Sequence, residues 1–176
     1  LASILPRRQL QADEILLARP SARLGPGARA TNRLRLRRAR NGPPAAADVI
    51  LPCLADACDA LDLGMNTVAL TGFSQGGMMS LYCGLGMAPA PAAIISFAGA
   101  LLQPATIIDD PAPPSVMLVH GTDDKVVPFS SMDRAREVLA AHGITAETVA
   151  RPGLGHGIDP DALSAAIDFL ARILPA

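Results

Sequence analysis

The sequence predicts a single α/β domain whose mostly parallel sheet is covered by helices on both faces. Two observations carry that expectation. From about Ala45 onward, short continuous apolar runs of strand length alternate with longer segments of helical periodicity. Strands that are apolar throughout, joined by helices, belong in a parallel sheet buried from both sides. The second is composition: half of the 176 residues are apolar, aromatics make up only 3 %, and Gly and Pro are plentiful. That length supports one domain with a substantial core, which here has to be filled by Ala, Leu and Val.

The elements follow in order. Ala45–Leu61 is a helix candidate, with Pro52 marking where its regular part would begin, and Gly64 is a natural left-handed cap after Leu63. Thr67–Gly72 (T-V-A-L-T-G) is a short apolar strand and Gln75–Leu85 a helix of small residues. Ala92–Phe97 is the next strand, and the Pro- and Asp-rich stretch Pro104–Ser115 is a loop. Val116–Val119 is a strand, and Ser130–Ala141 is a helix closed by His142-Gly143. Thr145–Ala150 is a further strand. Pro160–Leu174 is an amphipathic helix with Leu163, Ile167, Leu170 and Ile173 on its inner face.

Residues 1–42 stand outside this scheme. They hold ten Arg against Asp13 and Glu14, whereas residues 43–176 hold five Lys or Arg against fourteen Asp or Glu. The run Arg29–Arg40 shows no period that would bury a face beside such a sheet. A basic arm for nucleic acid is one reading, since clustered Arg neutralises phosphates. With no aromatic residue for base stacking and no Lys, the favoured reading is a poorly ordered segment or one whose coding has been disturbed, and no nucleic-acid partner is expected.

No apolar run reaches the roughly 18 residues of a membrane helix. No charged patch followed by an apolar stretch marks a leader, although the chain starts at Leu1 rather than Met. Cys53, Cys58 and Cys83 are an odd number without metal-ligand spacing. Free thiols, a reducing compartment and a cytoplasmic setting are therefore expected.

The chemistry begins at Gly72-Phe73-Ser74-Gln75-Gly76. A serine hydroxyl is a poor nucleophile until a base takes its proton, so it must project where a base and a carbonyl carbon both reach it. A strand stopping abruptly into a helix achieves this with a strained serine backbone. Only small residues fit two positions before and after it, hence Gly72 and Gly76. The strand and the helix flank the motif here, and the Gln75 N–H at the helix start is placed to bind a developing oxyanion. This is the nucleophile elbow of the α/β-hydrolase fold, a three-layer fold with a mostly parallel sheet.

Three histidines compete for the role of base. His120 ends a strand and is read as shaping the loop that follows; His142, before Gly143, suits a helix C-terminus. His156 lies in G-L-G-H-G between the last strand and the last helix, where this fold keeps its base. An acid must hold its tautomer. Asp109 and Asp110 fall in the Pro-rich loop, whereas Asp123 and Asp124 follow a strand at its carboxyl end, where ligands bind in open sheets. Adjacent residues point in different directions, so one of the two faces His156; spacing does not choose between them. Serine, aspartate, then histidine is the chain order this fold uses.

L-T-G-F-S-Q-G-G-M-M-S-L, L-V-H-G-T-D-D-K-V-V-P and G-L-G-H-G-I-D-P together resemble the phospholipase/carboxylesterase family of α/β hydrolases, over residues from about 45 to 176. The family includes acyl-protein thioesterases and small bacterial esterases. The resemblance implies a Ser–Asp–His triad, no cofactor or metal, and a small-molecule ester or thioester substrate of modest acyl size. In that family the acid lies four residues after the strand-end histidine, which selects Asp124. The roles implied are then Ser74 as nucleophile, His156 as base, Asp124 as orienting acid and the Gln75 N–H as one oxyanion donor. Phe73, Met78, Met79 and Leu154 are candidates for an acyl site, with core the favoured place for the two Met.

The resemblance departs at the N-terminal side. Relatives carry an H-G-x-G-type loop that donates the second oxyanion N–H, and no histidine precedes His120 here. L-A-S-I-L-P looks like the stretch that follows that loop, so the expectation is a fold truncated at its N-terminal side, with a shifted reading frame in residues 7–42. An uninterrupted frame in the parent DNA with no upstream H-G loop would exclude it. Loss of one oxyanion donor costs about 2.7–4 kcal/mol of transition-state stabilisation. The alternative function is therefore a catalytically weak or silent binding protein of the same fold. The sequence sets no oligomeric state.

Overall fold

The computed structural model describes residues 14–18, 33–35, 42–103 and 106–174. Its centre is a six-stranded sheet in the order β2-β1-β3-β4-β5-β6. The strands are β1 (Glu14–Ala18), β2 (Arg33–Arg35), β3 (Ala69–Phe73), β4 (Ala93–Phe97), β5 (Ser115–Gly121) and β6 (Ala146–Arg151). The helices are α1 (Gly42–Leu61), α2 (Gln75–Leu85), α3 (Ser130–Ala141) and α4 (Pro160–Ile173), with a short 3₁₀ turn at Met65–Thr67. β3 to β6 run parallel, as the apolar runs predict.

Alternation along the strands sorts side chains to two faces. Leu70, Ile94, Val116 and Leu118 meet α1, α2 and α3 through Ile50, Leu54, Met79, Leu81, Met132 and Leu139. Ala69, Ala93, Ile95, Phe97, Met117 and Val119 meet α4 through Ala162, Ala166 and Phe169. The helices thus form layers on either side of the sheet. The register places Phe73 beside Phe97, Phe97 beside Val119, and Gly121 beside Arg151. The chain therefore leaves β3, β5 and β6 along one edge of the sheet, the edge at which ligands bind in open α/β folds.

Four sequence expectations change. Residues 1–42 were expected to stay outside the sheet, but Glu14–Ala18 pairs antiparallel with β3, Ile15 opposite Gly72 and Ala18 opposite Ala69. Arg33–Arg35 pairs with Glu14–Leu16. Strand pairing uses backbone groups, which the side-chain period of an Arg-rich run does not report. The rest of residues 1–42, and the disturbance of coding expected there, lie outside the described residues.

Helix α1 runs through Pro52 from Gly42, with Pro43 and Pro44 in its first turn, where a missing N–H costs nothing. Pro52 and Asp48, whose carbonyl loses its donor, both lie on the exposed side, and water can satisfy that carbonyl. The positive φ after α1 belongs to Asp62 (51°), not Gly64. The Leu63 N–H returns to the Cys58 carbonyl at 2.9 Å, and Asp tolerates the left-handed region better than most residues.

Helix α4 is rotated from its predicted phase. Ala162, Ala166 and Phe169 are buried and Ile167 is 45 % exposed, because the small Ala side chains admit the helix close to the sheet while Leu170 and Ile173 pack at its margin. Overfilling this contact with Ala166→Leu is expected to cost about 1–3 kcal/mol. Ile167→Gln should stay within about 0.5 kcal/mol. Urea unfolding of the two variants checks the phase; the reverse order would restore the predicted face.

Candidate active site

Ser74 follows the last residue of β3 and caps α2, with φ 53° and ψ −115°. A non-glycine residue in that region is held there at a cost of order 1–3 kcal/mol. The restraints are visible on every side. Its N–H donates to the Phe97 carbonyl at 2.8 Å, and its carbonyl accepts from the Met78 N–H at 3.0 Å. Gly72 has no room for a side chain: a Cβ would lie 2.2 Å from the Gly76 carbonyl carbon. Gly77, which the sequence reading did not single out, is equally restricted, since a Cβ there would lie 2.6 Å from Ser96 Oγ. A second glycine after the serine, directly following Gly76, was the available signal.

The side chains converge across three strand ends. Ser74 Oγ lies 2.9 Å from His156 Nε2, and His156 Nδ1 lies 2.7 Å from Asp124 Oδ2. With Asp124 ionised, Nδ1 carries the proton and donates to the carboxylate, which leaves Nε2 free to accept the Ser74 hydroxyl proton. The Phe73 ring sits against the imidazole, centroids 4.8 Å apart, a contact that limits how the ring can turn. Gln75 is the first residue of α2, its side chain exposed. Its N–H is one of the four that a helix start leaves without an intrahelical partner.

Asp124 is buried at the turn after β5. Its Oδ1 accepts from the Val126 N–H at 2.8 Å and the Val127 N–H at 2.9 Å. Burial alone would raise its pKa, but the hydrogen bonds from His156, Val127 and Val126 and the attraction of His156 outweigh it and hold the carboxyl below its ordinary value. Its neighbour Asp123 is exposed and accepts from the Thr122 hydroxyl at 3.0 Å.

The other candidates are placed elsewhere. His120 is buried; its Nε2 lies 2.9 Å from the Val127 carbonyl and 3.3 Å from Asp124 Oδ2. It holds the loop after β5 and in doing so also reaches Asp124. His142 caps α3 with Nδ1 2.9 Å from the Val138 carbonyl. Asp109 is exposed, and Asp110 accepts from the Ala112 and Ala90 N–H groups. Met79 is core against α1, while Met78, Phe73 and Leu154 are half-buried. The three cysteines are free, and burial pushes the Cys83 thiol up to about 12, far from a thiolate nucleophile. Among the described residues, no group of three or more His, Cys, Asp or Glu is arranged to hold a metal ion, and no helix is long and apolar enough to cross a membrane.

The lowered Asp124 pKa has a thermodynamic consequence. A carboxyl whose folded pKa is depressed contributes stability above its unfolded pKa of about 3.9 and loses it as pH falls through the folded value. Urea midpoints of the protein should therefore drop below about pH 4, and D124N should flatten that part of the profile. An equal acid slope in both proteins would show that Asp124 contributes nothing to it.

Comparison with known proteins places this geometry in a lineage. The phospholipase/carboxylesterase family model matches residues 50–174. The acyl-protein thioesterase 1 of Gibberella zeae is 33 % identical over 114 residues, covering 61 % of this chain and 48 % of that protein. Esterase YpfH of Escherichia coli is 30 % identical over 118 residues, covering 64 % and 48 %. The chain thus spans about half the length of these curated relatives. The crystal structure of esterase PE8 superposes with a TM-score of 0.69 at 36 % identity, covering 80 % of this chain and 69 % of that one. On the extent of the family match and the shared fold, the chain belongs to the phospholipase/carboxylesterase family of α/β hydrolases.

Proposed function

We propose that this protein hydrolyses carboxylic or thio esters of small to medium acyl groups through an acyl-enzyme formed on Ser74. The observation that carries the reading is the unbroken hydrogen-bonded line from Asp124 through His156 to Ser74 Oγ. His156 Nε2 takes the Ser74 proton as Oγ attacks the carbonyl carbon, and Asp124 stabilises the imidazolium that forms. The oxyanion collects at the start of α2, where the Gln75 N–H and the helix dipole favour negative charge. Collapse of the tetrahedral species breaks the bond to the alcohol or thiol, which receives the proton from His156. Water, deprotonated by His156, then attacks the acyl carbon and frees Ser74.

No step draws on a cofactor or metal, since the nucleophile, the base and the charge stabilisation all come from this chain. The relatives named for thioester and ester cleavage support the substrate class. The three free thiols suit the cytoplasm as its setting.

Ser74→Ala should abolish turnover of a short chromogenic ester and labelling by a fluorophosphonate probe, which reacts only with an activated serine. Turnover at the wild-type rate would refute the assignment. D124N separates orientation from folding. The new amide oxygen still accepts from Val126 and Val127, but an N–H now faces His156 and favours the wrong tautomer. Steady-state kinetics should show kcat reduced by roughly 10⁴-fold in a protein that remains folded.

A further inference from the structure

The loop that carries His156 is rich in glycine. It runs from the end of β6 at Arg151 to the cap of α4 at Asp159, and it contains Gly153, Gly155 and Gly157. A Cβ at any of these three would meet nothing within 4 Å, so no side chain at these positions is needed to fill space, and the loop is held through its backbone and its ends. Glycine also gives the loop more conformations to lose than any other residue would. Something else must keep the imidazole within hydrogen-bond reach of Ser74.

Two sets of contacts do so. The first joins the loop to the turn after β5. Thr122 N–H donates to the Arg151 carbonyl at 3.0 Å, Asp123 N–H to the Leu154 carbonyl at 3.0 Å, and Gly153 N–H to Thr122 Oγ1 at 2.9 Å. The second closes the loop at its ends. Arg151 Nε lies 3.1 Å and 3.0 Å from the two carboxylate oxygens of Asp159, and Nη2 reaches Asp159 Oδ2 at 2.9 Å. The same Nη2 also contacts Asp161. Asp159 is meanwhile fixed by accepting the Ala162 N–H at 2.8 Å as the cap of α4. An arginine fork on a carboxylate sets an orientation as well as a distance, which a lysine does not.

We propose that the Arg151–Asp159 pair is the clasp that closes the His156 loop, and that Arg151 is a positioning residue which sets the imidazole over Ser74. This rests on the reading of His156 as the base. Arg151 touches neither Ser74 nor His156 in the hydrogen-bonded line, so its effect passes through the loop's geometry. Misplacing a catalytic group by about 1 Å can cost 10²-fold in rate.

The test uses the full chain with R151Q, R151K, D159N and the R151Q/D159N double variant. D159N is chosen because Asn remains a good helix cap, so α4 keeps its start while the charge is lost. Each of R151Q and D159N should lower kcat roughly 10- to 100-fold, with KM for a short chromogenic ester changed by less than about twofold. The double variant should be no worse than the weaker single one, as for two residues acting as a unit. R151K should fall between wild type and R151Q. Hydrogen exchange gives a readout independent of catalysis: the Gly153 and Leu154 amides should exchange faster in R151Q and D159N, with those of α2 unchanged.

Wild-type kcat in R151Q, losses that multiply in the double variant, or unchanged exchange at Gly153 and Leu154 would each overturn the clasp. Should R151Q fail to fold, R151K and D159N carry the same comparisons. Failure of the functional reading has a different signature: S74A and wild type would turn over alike, while the exchange results alone would decide the clasp.

Discussion

The left-handed backbone of Ser74 is the constraint around which the rest of the molecule is arranged. A single non-glycine residue at φ 53° would relax if its neighbours allowed it, at a gain of order 1–3 kcal/mol. They do not. The strand before it is locked between β1 and β4 by its register, and the helix after it is sunk into the core through Met79, Leu81, Cys83 and Leu85. Gly72 and Gly77 let the helix start come against the strand end with no side chain between. Ala98, at the end of the adjoining strand, also takes a positive φ of 47°, and its N–H bonds the Val119 carbonyl at 2.8 Å. Two neighbouring strand ends thus turn sharply, and each is tied to the next strand over.

The same logic extends to Asp124. Asp124 accepts two amides on one oxygen and His156 on the other, with His120 also within reach. A buried carboxylate survives only when its acceptor sites are filled. Here the Val126 and Val127 amides that fill two of them also hold the turn after β5, so the charge beside His156 and the shape of the turn have one cause. Phe73 does a comparable double duty, ending β3 and bracing the imidazole.

Much of this was legible in the sequence, for physical reasons that differ from part to part. Helices α2 and α3 match their predicted bounds because caps and breakers such as Ser74, His142 and Gly143 are local signals. The placement of Ser74 at an elbow and of His156 on a glycine-rich strand-end loop was readable because both leave local traces. The choice of Asp124 over Asp123 was not, since it depends on which side chain the turn buries; it came from resemblance. The phase of α4 was missed because Leu163 and Ile167 were assumed to face inward, whereas Ala162, Ala166 and Phe169 do. The pairing of Glu14–Ala18 with β3 is decided by backbone groups far apart in the chain, Ile15 with Gly72 and Ala18 with Ala69, about which an Arg-rich composition is silent. Arg151 carried a faint signal, an arginine and an aspartate flanking the base loop, with nothing local to say that they meet.

Gly121 also bears on the site. A Cβ there would lie 2.2 Å from the Leu154 carbonyl oxygen and 2.5 Å from that of Gly155, because the loop bearing His156 folds directly over the end of β5. The turn that bears Asp124 and the loop that bears His156 are therefore in direct contact. Any side chain at 121 would push on the loop backbone at Leu154 and Gly155, and through it on the contacts of His156 with Ser74 and Asp124.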